Sequence, residues 1–187
     1  MKLLETATRR PIPSSRVASR HAPVTHELLF MVGFPGKRAR FSALARALAT
    51  IAVPYLTQEA PEESVTSAEH FRLNYNPERA RSVTRRGTFL PKPPGFSGSL
   101  VWDTGYVRKR GQNWSPADAT VTGLVFGWSR SDQSDSLIAT RIEVVRSFLI
   151  RALREEAAYF RWLERGKPRH DQLADWLWAE RLITEIE

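Results

Sequence analysis

The chain of 187 residues contains no cysteine. That absence excludes disulfides, thiolate metal sites and cysteine nucleophiles, and with them a disulfide-stapled secreted scaffold. No apolar run approaches the roughly 20 residues of a membrane-spanning helix, so no membrane partner is expected. No apolar signal core comes after Lys2, which leaves a cytoplasmic location as the expectation. Histidine is scarce: His21, His26, His70 and His170 are the whole supply. His21 and His26 do not have a metal-ligand spacing and no carboxylate cluster joins them. Gly36-Lys37 is followed by Arg38, where a phosphate-binding loop needs Ser or Thr. No metal and no cofactor is therefore expected.

Acidic residues are short at the front of the chain. The net charge is +8, from 28 Lys and Arg against 20 Asp and Glu. In the first fifty residues Lys2, Arg9, Arg10, Arg16, Arg20, Lys37, Arg38, Arg40 and Arg46 face only Glu5 and Glu27. Such an arm attracts nucleic acid or acidic surfaces by counterion release. Aromatic side chains do not interleave with the early arginines, so stacking platforms for bases are missing and the pattern points away from nucleic acid. Residues 1–25 read as a disordered or irregular basic leader.

Beyond the leader the chain carries a series of short strand signals. Leu28 to Val32 is an apolar run closed by Gly33-Phe34-Pro35-Gly36, the mark of a buried strand. Phe41 to Ala52, rich in Ala, Leu and Arg, reads as a short helix stopped by Pro54. Val53-Tyr55-Leu56 begins a strand, and Phe71 to Tyr75 alternates with the period of another. Leu100-Val101-Trp102, Val121 to Trp128 and Leu137-Ile138-Ala139 complete the set. Thr140 with Glu143 then forms a capping box for a helix. Ile142, Val145, Phe148, Leu149, Ala152 and Leu153 make one apolar stripe on it. Gly166 ends that helix, and a second runs from about Asp171 to Ile186. Strands followed by two helices imply a mainly β domain with a helical tail.

Between these strands lies Pro94-Gly95-Phe96-Ser97-Gly98-Ser99. A serine hydroxyl needs help to act as a nucleophile. Acyl-transfer sites place it on a sharp turn with backbone N–H groups aimed at the developing oxyanion, and glycine supplies the backbone freedom such turns need. The same letters also describe a plain glycine-serine turn between strands. Ser97 does not fit the elbow of α/β hydrolases, because Ser99 stands where a glycine is required.

The order of motifs resembles the C-terminal barrel of trypsin-like serine peptidases of bacterial type. The resemblance is carried by Val32-Gly33-Phe34-Pro35, then Gly95 to Trp102, then Val121 to Trp128, then Ile138-Ala139-Thr140 and its helix. It implies the second half of a trypsin-like, antiparallel double barrel over 26–150, followed by a helical hairpin over 151–187. It also implies Ser97 as the nucleophile, the N–H groups of Gly95 and Ser97 as the oxyanion hole, and the strand Val121 to Trp128 beside the substrate. Phe96 departs from the acidic residue that secreted members use to anchor a new N-terminus. The family's histidine and aspartate lie on an N-terminal barrel, and about 25 residues precede the Val32-Gly33 strand here. His26 and His21, the candidates for a base, lack the family's histidine context. A serine-peptidase-like protein, incomplete or inactive as this chain, is the expectation, with peptide or protein as partner. A non-catalytic protein-binding module built from the barrel and the tail is the alternative. The sequence assigns no oligomeric state.

The tail carries a second pattern: Ala158-Tyr159, Trp162, Gly166-Lys167-Pro168, and Trp176 followed by Ala179-Glu180. It resembles a short bacterial helical domain of unknown function found near protein C-termini. Leu163 and His170 depart from an acidic residue and a glycine usual in it. The spacing puts Tyr159 and Trp162 on one helix face and Trp176 and Ala179 on another, as the core of a helical hairpin.

Overall fold

A computed structural model describes residues 11–36, 40–42, 47–61, 67–80, 90–110, 112–130, 135–169 and 171–184. The protein is mainly β, with two C-terminal helices. The strands are β1 (Leu29–Gly33), β2 (Arg40–Ser42), β3 (Ala47–Ala49), β4 (Val53–Thr57), β5 (His70–Tyr75), β6 (Leu100–Asp103), β7 (Thr120–Arg130) and β8 (Asp135–Arg141). The helices are α1 (Ile142–Glu164) and α2 (Gln172–Thr184). The chain divides into two compact units, Met1–Ile142 and Glu143–Glu187.

In the first unit a six-stranded antiparallel sheet has the order β4-β1-β6-β7-β8-β5. Its two edges meet. Glu59, just past β4, bridges Leu73 of β5, the Ala60 N–H donates to the Arg72 carbonyl at 2.9 Å, and the Asn74 N–H donates to the Gln58 carbonyl at 3.0 Å. The sheet thus curls into a barrel, which removes the exposed edges an open sheet would carry. Along that ring β6 lies beside β1, and β4 and β5 continue on β1's other side. This is the Greek-key order, in which the fourth strand returns beside the first.

Alternation fills the interior. Leu29 and Met31 of β1, Phe71, Leu73 and Tyr75 of β5, Val101, Val125, Leu137 and Ala139 point inward and form one core with Phe96. Gly33 and Gly123 make room in it. A Cβ on Gly33 would lie 2.5 Å from the Phe96 ring, and one on Gly123 would lie 2.6 Å from the Phe71 ring. These two strand glycines are sites of close approach.

Two sequence expectations are corrected here. Phe41 to Ala52 is not a helix: β2 and β3 pair within it as a two-stranded antiparallel sheet, so pairing overrides the local helix preference of Ala and Leu. Thr140 is not a helix cap. It pairs with His70 and Leu124 inside the ladder, and α1 begins at Ile142, directly after β8. Over residues 11–25 the leader is irregular but held to the barrel. The Arg16 guanidinium donates to the carbonyls of Ala119 (2.7 Å) and Pro116 (3.0 Å), Val17 bridges Val121 in parallel, and His21 is buried. The boundary expected at residue 150 falls inside α1, which is continuous.

The loop after β6 is fastened by a buried carboxylate. Glu27 accepts from the N–H groups of Leu28 (3.0 Å), Val107 (2.9 Å) and Arg108 (3.1 Å) and from the Thr104 hydroxyl (3.2 Å). Burial raises its pKa, but the backbone N–H groups of Val107, Arg108 and Leu28 and the Thr104 hydroxyl outweigh burial and hold it below the ordinary 4.5. A depressed carboxylate stabilises the fold above its unfolded pKa, and that contribution disappears as pH falls through the folded value. Glu27→Gln therefore lowers the urea midpoint at neutral pH. The gap to the native chain closes as pH is taken below the ordinary carboxylate range. A gap that stays constant through that titration would show that the carboxylate charge is not what holds the loop.

Candidate functional site

The serine loop is two consecutive tight turns that share Phe96. In the first, Pro93 to Phe96, the Phe96 N–H donates to the Pro93 carbonyl at 3.1 Å. In the second, Phe96 to Ser99, the Ser99 N–H donates to the Phe96 carbonyl at 3.0 Å. The third position of each turn is a glycine with positive φ, Gly95 at 103° and Gly98 at 85°. That is the requirement of a type II turn, and Pro94 before Gly95 sets the second position as that turn prefers. Gly95 is doubly constrained, because a Cβ there would come 2.5 Å from the Phe34 carbonyl oxygen and 2.7 Å from the Pro35 Cα.

The loop is docked by its backbone and by Phe96; the Pro94 carbonyl accepts from the Gly36 N–H at 3.3 Å. The Gly95 carbonyl accepts from the Phe34 N–H at 3.1 Å, tying it to the end of β1. The Gly98 N–H donates to the Val125 carbonyl at 2.8 Å and the Val125 N–H donates to the Ser99 carbonyl at 2.9 Å, so the second turn prolongs the β6–β7 ladder. Phe96 drives its ring into the core, where it is 0% exposed and meets Tyr75 edge-on at 5.6 Å. The Tyr75 hydroxyl in turn donates to the Pro91 carbonyl. Burial first, with Tyr55 and Asp135 adding, pushes that hydroxyl's pKa up, so it remains a donor. Phe96 thus anchors the loop by apolar burial.

Ser97 stands exposed on top of this frame, with its hydroxyl donating to the Phe126 carbonyl at 3.2 Å. That carbonyl is available because Phe126 is a bulge: Val125 pairs with Ala139 and Gly127 with Ile138, which leaves Phe126 without a partner on β8. Bulges re-aim side chains beside functional sites. The Phe126 ring is turned outward and packs on the His70 ring, 4.7 Å between centroids. Among the described residues the N–H groups of Gly95 and Ser97 have no acceptor, and the buried Nδ1 of His70 has no partner.

The candidate bases lie elsewhere. His21 has a side chain only 1% exposed. Its Nδ1 is 2.8 Å from the Thr122 hydroxyl, its Nε2 is 3.4 Å from a Glu59 carboxylate oxygen, and it stacks on Phe71 at 3.7 Å. It pins the leader to the barrel. His26 is exposed in a turn at φ 63°, and its carbonyl accepts from the Gln58 amide at 2.8 Å. Among the described residues no histidine and no carboxylate hydrogen-bonds Ser97. His170 lies outside the described residues. The bulge at Phe126 went unread in the sequence, although Gly127 inside a strand was a signal for it.

The second unit is built around its own charges. Gly166 at φ 76° closes α1: the Gly166 N–H donates to the Leu163 carbonyl at 3.0 Å and the Lys167 N–H to the Trp162 carbonyl at 2.9 Å, the paired bonds of a Schellman motif. On α2 the Asp175 side chain, 2% exposed, receives Arg165 at 2.8 Å and Arg161 at 3.4 Å on one oxygen. Its other oxygen and one Arg161 nitrogen are buried without a partner among the described residues, an arrangement a bound water would satisfy. Arg161 also stacks on Trp178 at 4.8 Å. A cavity of about 340 Å³ lies beside this cluster, lined by Tyr159, Trp162 and Trp176 with Glu155, Ala158 and Asp175. No group of three His, Asp or Glu among the described residues is placed to hold a metal ion. No described helix is long and apolar enough to cross a membrane.

Residues 155–185 match a family described as a protein of unknown function, DUF2934. The match covers α2 and the second half of α1. No curated protein matches the chain, and no solved structure matches it.

Proposed function

We propose that the first unit is the serine-loop barrel of a trypsin-like peptidase, with Ser97 in the nucleophile's position and the N–H groups of Gly95 and Ser97 as an oxyanion hole. As this chain it is serine-peptidase-like, with no base hydrogen-bonded to Ser97 among the described residues. The observation that carries this reading is the loop: an exposed serine on two glycine-dependent turns, fixed from below by Phe96, with two N–H groups that have no acceptor among the described residues. The antiparallel barrel with its Greek-key order is the setting in which that loop is expected. Against catalysis stands the environment of the hydroxyl. It donates to a main-chain carbonyl, which cannot take its proton. Without a base, acceleration over water is limited to what an oxyanion hole and binding supply, about 10³–10⁴-fold.

A fluorophosphonate probe tests this. The native chain is expected to label slowly, with Ser97→Ala removing what labelling there is. Rapid labelling of the native chain would show that a base reaches Ser97 and would overturn the inactive reading. No difference between the native chain and Ser97→Ala would overturn the assignment of the loop. A second reading, a non-catalytic protein-binding module, is favoured by Phe126 and Trp128, both about half exposed on β7. Aromatic side chains displayed in this way are common anchors of protein contacts.

A further inference from the structure

The cavity of about 340 Å³ in the second unit joins two kinds of side chain. Three aromatic rings line it: Tyr159 and Trp162 from α1 and Trp176 from α2. Its charged lining is wholly acidic, Glu155 and Asp175. No arginine or lysine among the described residues lines it, although the chain has a net charge of +8 and Arg151, Arg154, Arg161 and Arg165 belong to the same hairpin. Those arginines are drawn to carboxylates: Arg154 to Glu180 at 3.7 Å, and Arg161 and Arg165 to one oxygen of Asp175 at 3.4 and 2.8 Å. The rings are held in place. The Trp162 indole N–H donates to the Pro168 carbonyl at 3.1 Å, and the Tyr159 ring lies 5.9 Å from the Trp162 ring, tilted by 35°. The volume and the mainly aromatic lining are those of a preformed small-ligand site.

The chemistry of the lining selects the occupant. The face of an aromatic ring is negative and attracts a cation placed over it. Trp162 already does so, with the Lys167 ammonium 5.9 Å from its ring centre. The two carboxylates repel an anion. A neutral apolar ligand would strip water from them and return nothing. A bare ammonium brings three N–H donors and a guanidinium five, more than a wall of rings can accept. Alkyl groups in place of those hydrogens remove that demand and set apolar surface against the rings. An alkylated ammonium therefore suits both parts of the lining. The carboxylates contribute differently. The Asp175 side chain is 2% exposed, and the oxygen that takes neither arginine is buried without a partner among the described residues. Glu155 is paired with Arg151 at 2.9 Å, with both side chains more than half exposed. Such a pair is worth little, so the Glu155 carboxylate can turn to a ligand at small cost.

We propose that the cavity lined by Tyr159, Trp162 and Trp176 binds an alkylated ammonium group, with Glu155 and Asp175 supplying the negative potential. Choline and dimethylbutanol, its neutral isostere with carbon in place of nitrogen, separate the effect of charge from that of shape. Titrated into the full chain and followed by NMR, choline should show upfield-shifted methyl protons. It should bind about tenfold more tightly than the alcohol, the ratio expected when more than one ring makes a cation–π contact. Tyr159→Leu and Glu155→Gln should each weaken choline binding severalfold while helical ellipticity is retained. Glu155 is 54% exposed, so that variant keeps the fold even if Tyr159→Leu does not. A peptide carrying trimethyl-lysine, titrated in the same way, identifies the source. Tighter binding than choline supports the site with a modified side chain as its ligand, and equal or weaker binding supports it with a free small cation. Equal binding of choline and dimethylbutanol would reduce the cavity to an apolar hole and overturn the proposal. So would the absence of binding by both choline and the peptide at millimolar concentration, or choline binding that both variants leave unchanged.

Discussion

Phe96→Ala is expected to lower the unfolding free energy by about 3–5 kcal/mol, the range for truncating a fully buried phenylalanine. The ring is the loop's insertion into the core. It fills the space left by Gly33, where even a Cβ would approach it at 2.5 Å, and it meets Tyr75 edge-on. Collapse cannot refill that volume easily, because the surrounding β1 and β5 positions are held in register by ladder hydrogen bonds. The loss should also be local. The Gly98 N–H, which donates to the Val125 carbonyl, should exchange with solvent markedly faster than the N–H groups of β7 and β8. Urea unfolding gives the first quantity and native-state exchange the second. Ser97→Ala is the control: an exposed side chain with one bond to a carbonyl should change stability by no more than ~0.5 kcal/mol. Equal effects of the two substitutions would show that the loop is not held from below.

Asp175→Ala should cost about 3 kcal/mol, the lower end of the range for breaking a buried ion pair, since Arg161 and Arg165 keep partial contact with water. The carboxylate is the shared acceptor of two guanidinium groups, Arg161 of α1 and Arg165 just past its end, so its removal leaves the half-buried Arg161 beside Trp178 without its counter-charge. Thermal melting followed by helical ellipticity reads the loss from the second unit. Asp175→Asn should fall between, because the amide oxygen still accepts a hydrogen bond but carries no charge. A melting curve for Asp175→Ala that overlays the native one would show that the apolar contacts of the hairpin suffice without this cluster.

Much of the architecture was legible. The strands β1, β4, β5, β6, β7 and β8 announced themselves by alternation or by short apolar runs between turns, since burial on one face of a strand is a local pattern of period two. The two turns of the serine loop were legible for the same reason. Gly95 and Gly98 occupy backbone conformations that only glycine adopts easily, and Pro94 fixes the residue before the first of them. Gly166 named the end of α1 by the same rule. Pro54, which stops no helix, marked instead a position in the edge pairing of β4 with Val32.

The misreadings have one origin. β2 and β3 look helical because Ala and Leu favour helix in isolation, but each finds a strand partner within a few residues. Thr140 looks like a cap because a threonine three residues before a glutamate usually is one, yet its backbone is claimed on both sides by β5 and β7. His21 reads as a leader residue until Thr122, 101 positions away, reaches its ring.

What the sequence by itself determined is the local geometry: where the chain alternates, where it turns, and which serine stands between two turn glycines. Those features depend on the conformational limits of single residues and their nearest neighbours, so they survive without knowledge of the fold. Only the tertiary structure decided the surroundings of that serine. The Phe126 bulge, the burial of Phe96, and the removal of His21 into a cluster of its own all depend on which distant strand lies alongside. Strand pairing is a property of the closed barrel and of no segment within it.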